Sequence, residues 1–354
     1  MQKLLITGGA GFVGSNLALR FKQSRPAAEV IAFDNLRRRG SELILSRLRR
    51  GGVSFVHGDV RVREDLLAVG QVDLVVDCAA EPSVLAGRDG SPDYVIQTNL
   101  VGTVNCLELA RRCGADVMFL STSRVYPSAP INRLEYREAE TRFQMLPGQS
   151  VQGASEHGLA EDFPLEGSRS LYGASKLASE LLLEEYREAY GVRAIVNRCG
   201  VLTGPWQMGK VDQGVVVLWV AKHLYRGALS YIGFGGTGKQ VRDILHVQDL
   251  YDLLEIQLGR IGEFDGSCFN VGGGAAISVS LQELTALCRK HTGNTIAISA
   301  VPETRPQDLI CYLSDCRKVQ ARTGWRPRRS PESIIEEIAR WITDHRAELE
   351  PILA

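Results

Sequence analysis

What this sequence of 354 residues lacks narrows its chemistry first. It carries no excess charge: 41 Lys and Arg balance 41 Asp and Glu, for a formal net charge of zero at pH 7. Nucleic acids and anionic membranes attract strongly basic surfaces, so neither is expected as a partner. No apolar run approaches the ~20 residues that span a bilayer; the longest, Val215 to Ala221, has seven. The eight cysteines include no Cys-x-x-Cys pair, so reduced, mostly buried thiols are expected and no metal site. The apolar start with Lys3 would suit a signal peptide, but its glycines interrupt any apolar core. A cytoplasmic protein is the expectation.

What is present suits a packed α/β protein. Hydrophobic residues make up 44% and charged residues 23%, and the length allows one large domain or two ordinary ones. Lys3-Leu-Leu-Ile-Thr-Gly-Gly-Ala-Gly-Phe-Val-Gly14 reads as a buried strand, a glycine turn and a helix beginning near Phe12. Gly8, Gly11 and Gly14 permit a tight turn, close approach of backbone N–H groups to a pyrophosphate, and close helix–strand packing. The helix N-terminus adds partial positive charge where phosphate would sit. Val30-Ile-Ala-Phe33 then ends in Asp34, twenty residues after Gly14, where an acid accepts from the adenosine ribose 2′-hydroxyl. A dinucleotide site is predicted, and Asp34 favours NAD because it repels a 2′-phosphate. Arg37–Arg39 offer a counter-charge that would suit NADP.

Further strands follow at Val53–Val56, Asp73–Ala80, Val117–Leu120 and Ala194–Arg198, alternating with helices over Tyr94–Cys113 and Leu171–Tyr190. That alternation predicts a doubly wound parallel sheet of the Rossmann type. Asp59, after the third strand, is placed to reach the adenine amino group or to cap a helix over Arg61 to Val69, and the two roles are compatible. From Pro127 to Ser168 the chain is rich in Gly, Pro, Ser and Glu, which predicts an irregular substrate-side region with at most a short helix. Beyond Gly204 the pattern is mixed: helices over Val215–Tyr225, Leu281–His291 and Pro331–Arg346, strands around Tyr231, Val241–His246 and Cys268–Val271. The expected division is a dinucleotide-binding domain over 1–200, with later contributions around 240–265, and a smaller mixed α/β substrate-binding portion over 201–354.

Tyr172-Gly-Ala-Ser-Lys176 opens the long helix, and residues at i and i+4 share a helix face. A phenol near pKa ~10 is a poor base at neutral pH, but a neighbouring ammonium and an oxidised nicotinamide ring favour the phenolate. Such a phenolate can take a proton from a sugar hydroxyl during oxidation to a ketone.

Taken together, Thr7–Gly14, Asp34-Asn35, Asn99–Asn105, Ser121–Tyr126, Tyr172–Lys176 and Arg242-Asp243 resemble the extended short-chain dehydrogenase/reductase family over nearly the whole chain. The resemblance implies that Thr122 is the triad hydroxyl beside Tyr172 and Lys176, with Ser123 the near alternative and a substrate contact. It implies that Lys176 also binds the nicotinamide ribose. Asn99 is either a structural and proton-relay residue or a helix cap. The implied NAD contacts are Gly8, Gly11, Phe12, Val13, Gly14, Asp34, Asn35, Asp59, Val60, Ala79, Ala80, Asn99, Tyr172 and Lys176.

Within the family, dTDP-glucose 4,6-dehydratases carry an Asp-Glu pair after the triad Thr; Ser123-Arg124 stands here instead. UDP-glucuronate decarboxylases carry a Glu at the Arg124 position. Asp34–Gly40, Ser170–Gly173, Asp212-Gln213-Gly214 and Gly238–His246 are most similar to the CDP-tyvelose (CDP-paratose) 2-epimerases. That similarity implies a CDP-hexose held by Gln213, Arg242, Arg305 and Asp308: arginines on the diphosphate, Asp308 on a ribose hydroxyl. Surface salt bridges are the alternative for those arginines. Departures border the sugar: Arg198–Gly204 replaces an Arg-x-Ser-x-x-Tyr-Gly pattern, Asp77 a His, and Glu81 a Gln. The hexose therefore stays open. The implied activity is NAD-dependent epimerisation at C2, with a UDP-hexose 4-epimerase and a catalytically silent NAD-binding scaffold as alternatives. The family also implies a homodimer or homotetramer.

Overall fold

The computed structural model describes residues 1–88, 90–210 and 213–354; Asp212, one of the residues carrying the epimerase similarity, lies outside them. The chain divides into two units: residues 1–125, 170–198 and 251–269, and residues 126–169, 199–250 and 270–354.

The first unit is organised around Leu4, Leu5 and Ile6, each fully buried. They form β1 (Lys3–Thr7), followed by α1 (Phe12–Ser24), β2 (Glu29–Asp34), α2 (Ser41–Arg50), β3 (Ser54–His57) and α3 (Arg63–Leu67). β4 (Leu74–Asp77), α4 (Gly102–Cys113), β5 (Asp116–Thr122), α5 (Leu171–Tyr190), β6 (Ala194–Cys199) and β7 (Cys268–Val271) complete the sheet and its main helices. The strand order is β7-β6-β5-β4-β1-β2-β3, and β1 runs parallel to both neighbours, with Leu5 opposite Ile31 and Val75. Near-continuous apolar strands are what a parallel sheet covered on both faces requires. Strand order reverses between β1 and β4. In doubly wound sheets the crevice at that reversal, beyond the strand C-termini, is where ligands bind.

Tyr94–Cys113 is one helical path with a change of pitch. A turn over Asp93–Ile96 leads into a π-helical segment, Gln97–Val101, and then into α4. The extra residue per turn seats Asn99 inside the helix, so it is not a cap.

The second unit holds a sheet of Val201–Thr203, Val241–His246, Ser278–Ser280 and Cys311–Tyr312. The helix Val215–Leu224 is apolar nearly all round because helices Leu281–Thr292 and Pro331–Asp344 pack against it. Residues 126–169 belong to this unit, where a boundary near 200 places them with the first. They are also more ordered than their composition suggests: a short helix, Ser128–Asn132, and two antiparallel pairs, Tyr136–Glu138 with Phe143–Met145 and Ala154–Ser155 with Gly158–Leu159. Strands of two or three residues leave no periodicity to read.

Candidate active site

The glycine turn has the form that a pyrophosphate needs. Gly8 takes φ +62°, open to glycine without strain, and its carbonyl accepts from Gly11 N–H at 2.9 Å. A Cβ at Gly14 would stand 2.2 Å from that carbonyl oxygen, and one at Gly9 would stand 2.5 Å from Ala32 Cα. Only hydrogen at these positions lets α1 approach β1 and β2 so closely. The N-cap of α1 is Gly11, which has no side chain to bond the first-turn N–H groups, and no acid lies in that turn. Phe12, Val13 and Gly14 thus present donors and positive dipole to an anion.

The adenosine end is built from β2 and β3. Asp34 Oδ2 accepts from Ala10 N–H at 3.1 Å and Oδ1 from Leu36 N–H at 2.8 Å, which ties the end of β2 to the glycine turn. Burial raises the Asp34 pKa while these backbone donors pull against it. Asn35 donates to Asp59 Oδ2 at 2.9 Å, and Arg61 forms an ion pair with Asp59 at 2.6 Å. Burial alone would raise the Asp59 pKa, but the donors from Arg61 and Asn35 win and hold it at about 2. Asp59 does not cap the following helix: α3 begins at Arg63 with Val62 as its N-cap. Tyr94, which the sequence did not mark, has two guanidinium groups over its ring, with Arg37 at 3.8 Å and Arg61 at 4.9 Å from its ring centre.

The floor is a buried network on β4. Thr7 Oγ1 donates to Asp77 Oδ1 at 2.7 Å and Thr103 Oγ1 to Oδ2 at 2.8 Å. Thr7 Oγ1 in turn accepts from Cys78 and Ala79 N–H, both at 3.2 Å, which sets the backbone leading to Ala80. The acid at position 77 is therefore a structural link between β1, β4 and α4. Asn99 Nδ2 donates to the Glu81 carbonyl at 3.1 Å and to Ser175 Oγ at 3.2 Å, and its Oδ1 accepts from Glu81 N–H at 2.8 Å. Val60 packs where a Cβ on Gly102 would come within 2.8 Å, and its carbonyl accepts from Asn105 at 2.9 Å.

Tyr172 and Lys176 sit in the first turns of α5. Ser170 caps that helix by accepting from Gly173 N–H at 3.1 Å, and Gly191 closes it at φ +70°. Tyr172 is half-buried; Lys176 is 1% exposed, its Nζ 3.9 Å from the Phe119 ring centre. Thr122 ends β5, buried, with Oγ1 accepting from Arg124 N–H at 3.2 Å. Ser123 opens a 3₁₀ turn, Ser123–Val125, that packs against α5. The strand end with its hydroxyls and the helix bearing the phenol and ammonium are thus in contact. Glu180 completes an i, i+4, i+8 row with Tyr172 and Lys176, a spacing already visible in the sequence.

In the second unit, Arg242 Nη2 pairs with Asp308 Oδ1 at 2.7 Å, with side chains 16% and 23% exposed, so this is a sheltered pair rather than a surface one. Asn132 holds the Asp308 loop through its carbonyl at 2.8 Å. Arg305 is partly exposed three residues away, its carbonyl accepting from Asp308 N–H at 3.2 Å. Gln213 is tied by backbone bonds to Lys210. Next to Arg242, Asp243 is fully buried; its Oδ2 accepts from Gly274 and Ser314 N–H, both at 3.2 Å. Burial pushes its pKa up to about 6, against the hydrogen bonds from Ser314 and Gly274. A raised carboxyl contributes stability that is present below the unfolded value, ~3.9, and is lost as pH rises through about 6. Asp243→Asn is therefore expected to gain up to about 3 kcal/mol at neutral pH and to flatten the stability profile between pH ~4 and ~6. Urea unfolding across that range checks this; a variant weaker than wild type at both ends contradicts it.

Such a β1–α1 turn at the crevice between β1 and β4, with Tyr-x-x-x-Lys on the helix beside β5, defines a nicotinamide-dependent enzyme on a Rossmann sheet. Among the described residues no group of His, Cys, Asp and Glu is arranged to hold a metal, and no helix is long and apolar enough to cross a membrane. The chain belongs to the NAD dependent epimerase/dehydratase family, whose model matches residues 4–272. It is 31% identical to the CDP-paratose 2-epimerase of Salmonella typhi, covering 96% of this chain and 99% of that one. Among solved structures, a UDP-glucose 4-epimerase of Thermus thermophilus in complex with NAD superposes with a TM-score of 0.77 at 25% identity, covering 97% and 99% of the two chains. A dTDP-glucose 4,6-dehydratase double mutant of Streptomyces venezuelae with NAD bound gives 0.79 at 27% identity, covering 99% of each.

Proposed function

We propose that this chain epimerises a nucleotide-linked hexose, with C2 of a CDP-sugar as the site of inversion. One feature carries that reading. Thr122 is followed by Ser123-Arg124, so the turn after β5 holds no carboxyl where the 4,6-dehydratases have an Asp-Glu pair. The site has one phenol–ammonium base for a reversible oxidation and lacks the acid–base pair an elimination needs. The similarity to a CDP-paratose 2-epimerase along nearly all of both chains supports the C2 assignment.

The glycine turn, Asp34 and Asn35 would hold the dinucleotide, with Asp59, Val60, Ala79, Ala80 and Asn99 around it. Bound NAD supplies reversible acceptance of the carbon-bound hydrogen with its electron pair. Thr122 Oγ1 orients the reacting hydroxyl, and Ser123 flanks it. Tyr172, as phenolate stabilised by the Lys176 ammonium, takes the hydroxyl proton as C2 becomes a ketone. The keto-sugar turns within the site, and Tyr172 returns the proton to the same oxygen once the hydrogen has been restored to the opposite face of C2. Arg242, set by Asp308, and Arg305 would clamp the diphosphate, and Gln213 would add a substrate contact, so that the nucleotide stays anchored while the ring turns. A cycle that leaves the cofactor unchanged predicts NAD that remains with the purified protein.

Incubation with CDP- and UDP-hexoses, with products resolved by NMR, tests the reading. Inversion at C2 of a CDP-hexose is expected. Turnover of UDP-hexoses alone would replace it with a 4-epimerase, and a 4-keto-6-deoxy product would overturn epimerisation in favour of dehydration.

A further inference from the structure

Beneath Tyr172 and Lys176 lies a second buried cluster that the proton-transfer chemistry does not use. Glu180 of α5 and Arg198 of β6 form an ion pair at 2.7 Å, with both side chains 8% exposed. Arg198 Nε lies 3.1 Å from each carboxylate oxygen and Nη2 lies 2.7 Å from Oε2, a two-pronged grip on one planar group. Ser121 of β5 donates its hydroxyl to Oε1. One carboxylate thus joins a helix to two adjacent strands.

Stability is a weak explanation for this arrangement. Two charges taken out of water lose about as much in hydration as they regain from each other, and apolar replacements of such pairs are often neutral. Direction and rigidity are what the pair supplies. Ser121 immediately precedes Thr122. Phe119, on the same face of β5 as Ser121, carries the Lys176 ammonium 3.9 Å from its ring centre. The helix bearing Tyr172 and Lys176 is therefore fastened to β5 at two points one turn apart, beside the residue that presents the triad hydroxyl.

We propose that Glu180 is a positioning residue. Through Ser121 and Arg198 it fixes the rotation and depth of α5 on β5, so that the Tyr172 phenol and Lys176 ammonium meet a hydroxyl held by Thr122. The inference rests on the proton-transfer reading of that triad, and its test separates the two.

The test uses the full-length protein as purified, without added substrate. Tyr172 is titrated by ultraviolet difference between each protein and its Tyr172→Phe counterpart. Because Glu180→Gln removes the carboxylate that the buried Arg198 guanidinium grips and can fail to fold, the main variant is Glu180→Leu with Arg198→Met, which removes both charges together. This double variant is expected to keep wild-type melting temperature within a few degrees and to raise the Tyr172 midpoint by about one pH unit as the ammonium loses its register. With the sugar nucleotide that wild type turns over, kcat is expected to fall roughly 100-fold while KM changes less than about twofold, the signature of lost alignment. Glu180→Asp, which keeps the charge, is expected to recover part of both. A double variant with an unmoved Tyr172 midpoint and wild-type kcat overturns the positioning role. A wild-type Tyr172 midpoint no lower than an ordinary tyrosine contradicts the triad reading instead.

Discussion

Tyr172→Phe is expected to lower turnover of the sugar nucleotide by roughly 10³-fold while NAD content and melting temperature stay near wild type. The substitution removes one oxygen and nothing else. The helix that carries it is secured independently, by the Ser170 cap on Gly173 N–H and by the buried contacts of Ser175, Ser179 and Leu183. Tyr172 is half-buried in the first turn, so a phenyl ring fits the same space. General-base transfer contributes about 10²–10⁴-fold, and here the phenol acts twice in each cycle, as base and then as acid. Parallel measurement of kcat, bound nucleotide and thermal melting checks the prediction. Unchanged kcat would remove Tyr172 from the chemistry, and lost NAD would make it a binding residue.

Gly14→Ala should empty the cofactor site. Alanine in a helix ordinarily gains about 0.5–1 kcal/mol over glycine, so propensity alone predicts a more stable protein. Sterics reverse that sign. The new Cβ would lie 2.2 Å from the Gly8 carbonyl oxygen and 2.9 Å from Gly9 Cα, both backbone atoms in the cofactor turn. α1 must then tilt off the sheet, or the turn must open, and either moves the N–H groups of Phe12 and Val13 away from the pyrophosphate. A cost of about 1–3 kcal/mol in folding and roughly 100-fold weaker NAD binding are expected. Gly11→Ala, whose Cβ would meet the same oxygen at 3.0 Å, should be milder. Nucleotide released from the denatured variants, measured against protein, decides the matter. Gly14→Ala purifying with a full complement of NAD would contradict the geometry.

Local and long-range features differ in how openly the sequence displays them. The β1–turn–α1 unit and the α5 helix are local objects: strand, glycines, Ser170 cap and closing Gly191 all lie within a few residues of what they control, and their bounds follow from those residues. The partners of buried charges are another matter. Asp77 is satisfied by Thr7 and Thr103, Glu180 by Ser121 and Arg198, and Arg242 by Asp308. These pairs are brought together by strand order, which no periodicity encodes. Asp59 shows the same limit: an acid before a helix reads as a cap, yet Asn35 and Arg61 claim it first. Asn99 sits inside a helix because a π-helical segment, invisible in the apolar spacing, accommodates it. The pairings of 136–145 and 154–159 arise from strands too short for any pattern.

In the proposed reaction one carbon of the sugar loses its hydrogen and regains it on the other face within a single binding event. A CDP-hexose deuterated at C2, turned over in ordinary water and examined by NMR and mass spectrometry, addresses it directly. The expected product is inverted at C2 with the deuterium still on C2. Deuterium washed out into solvent, or inversion at C4 with C2 untouched, would contradict it.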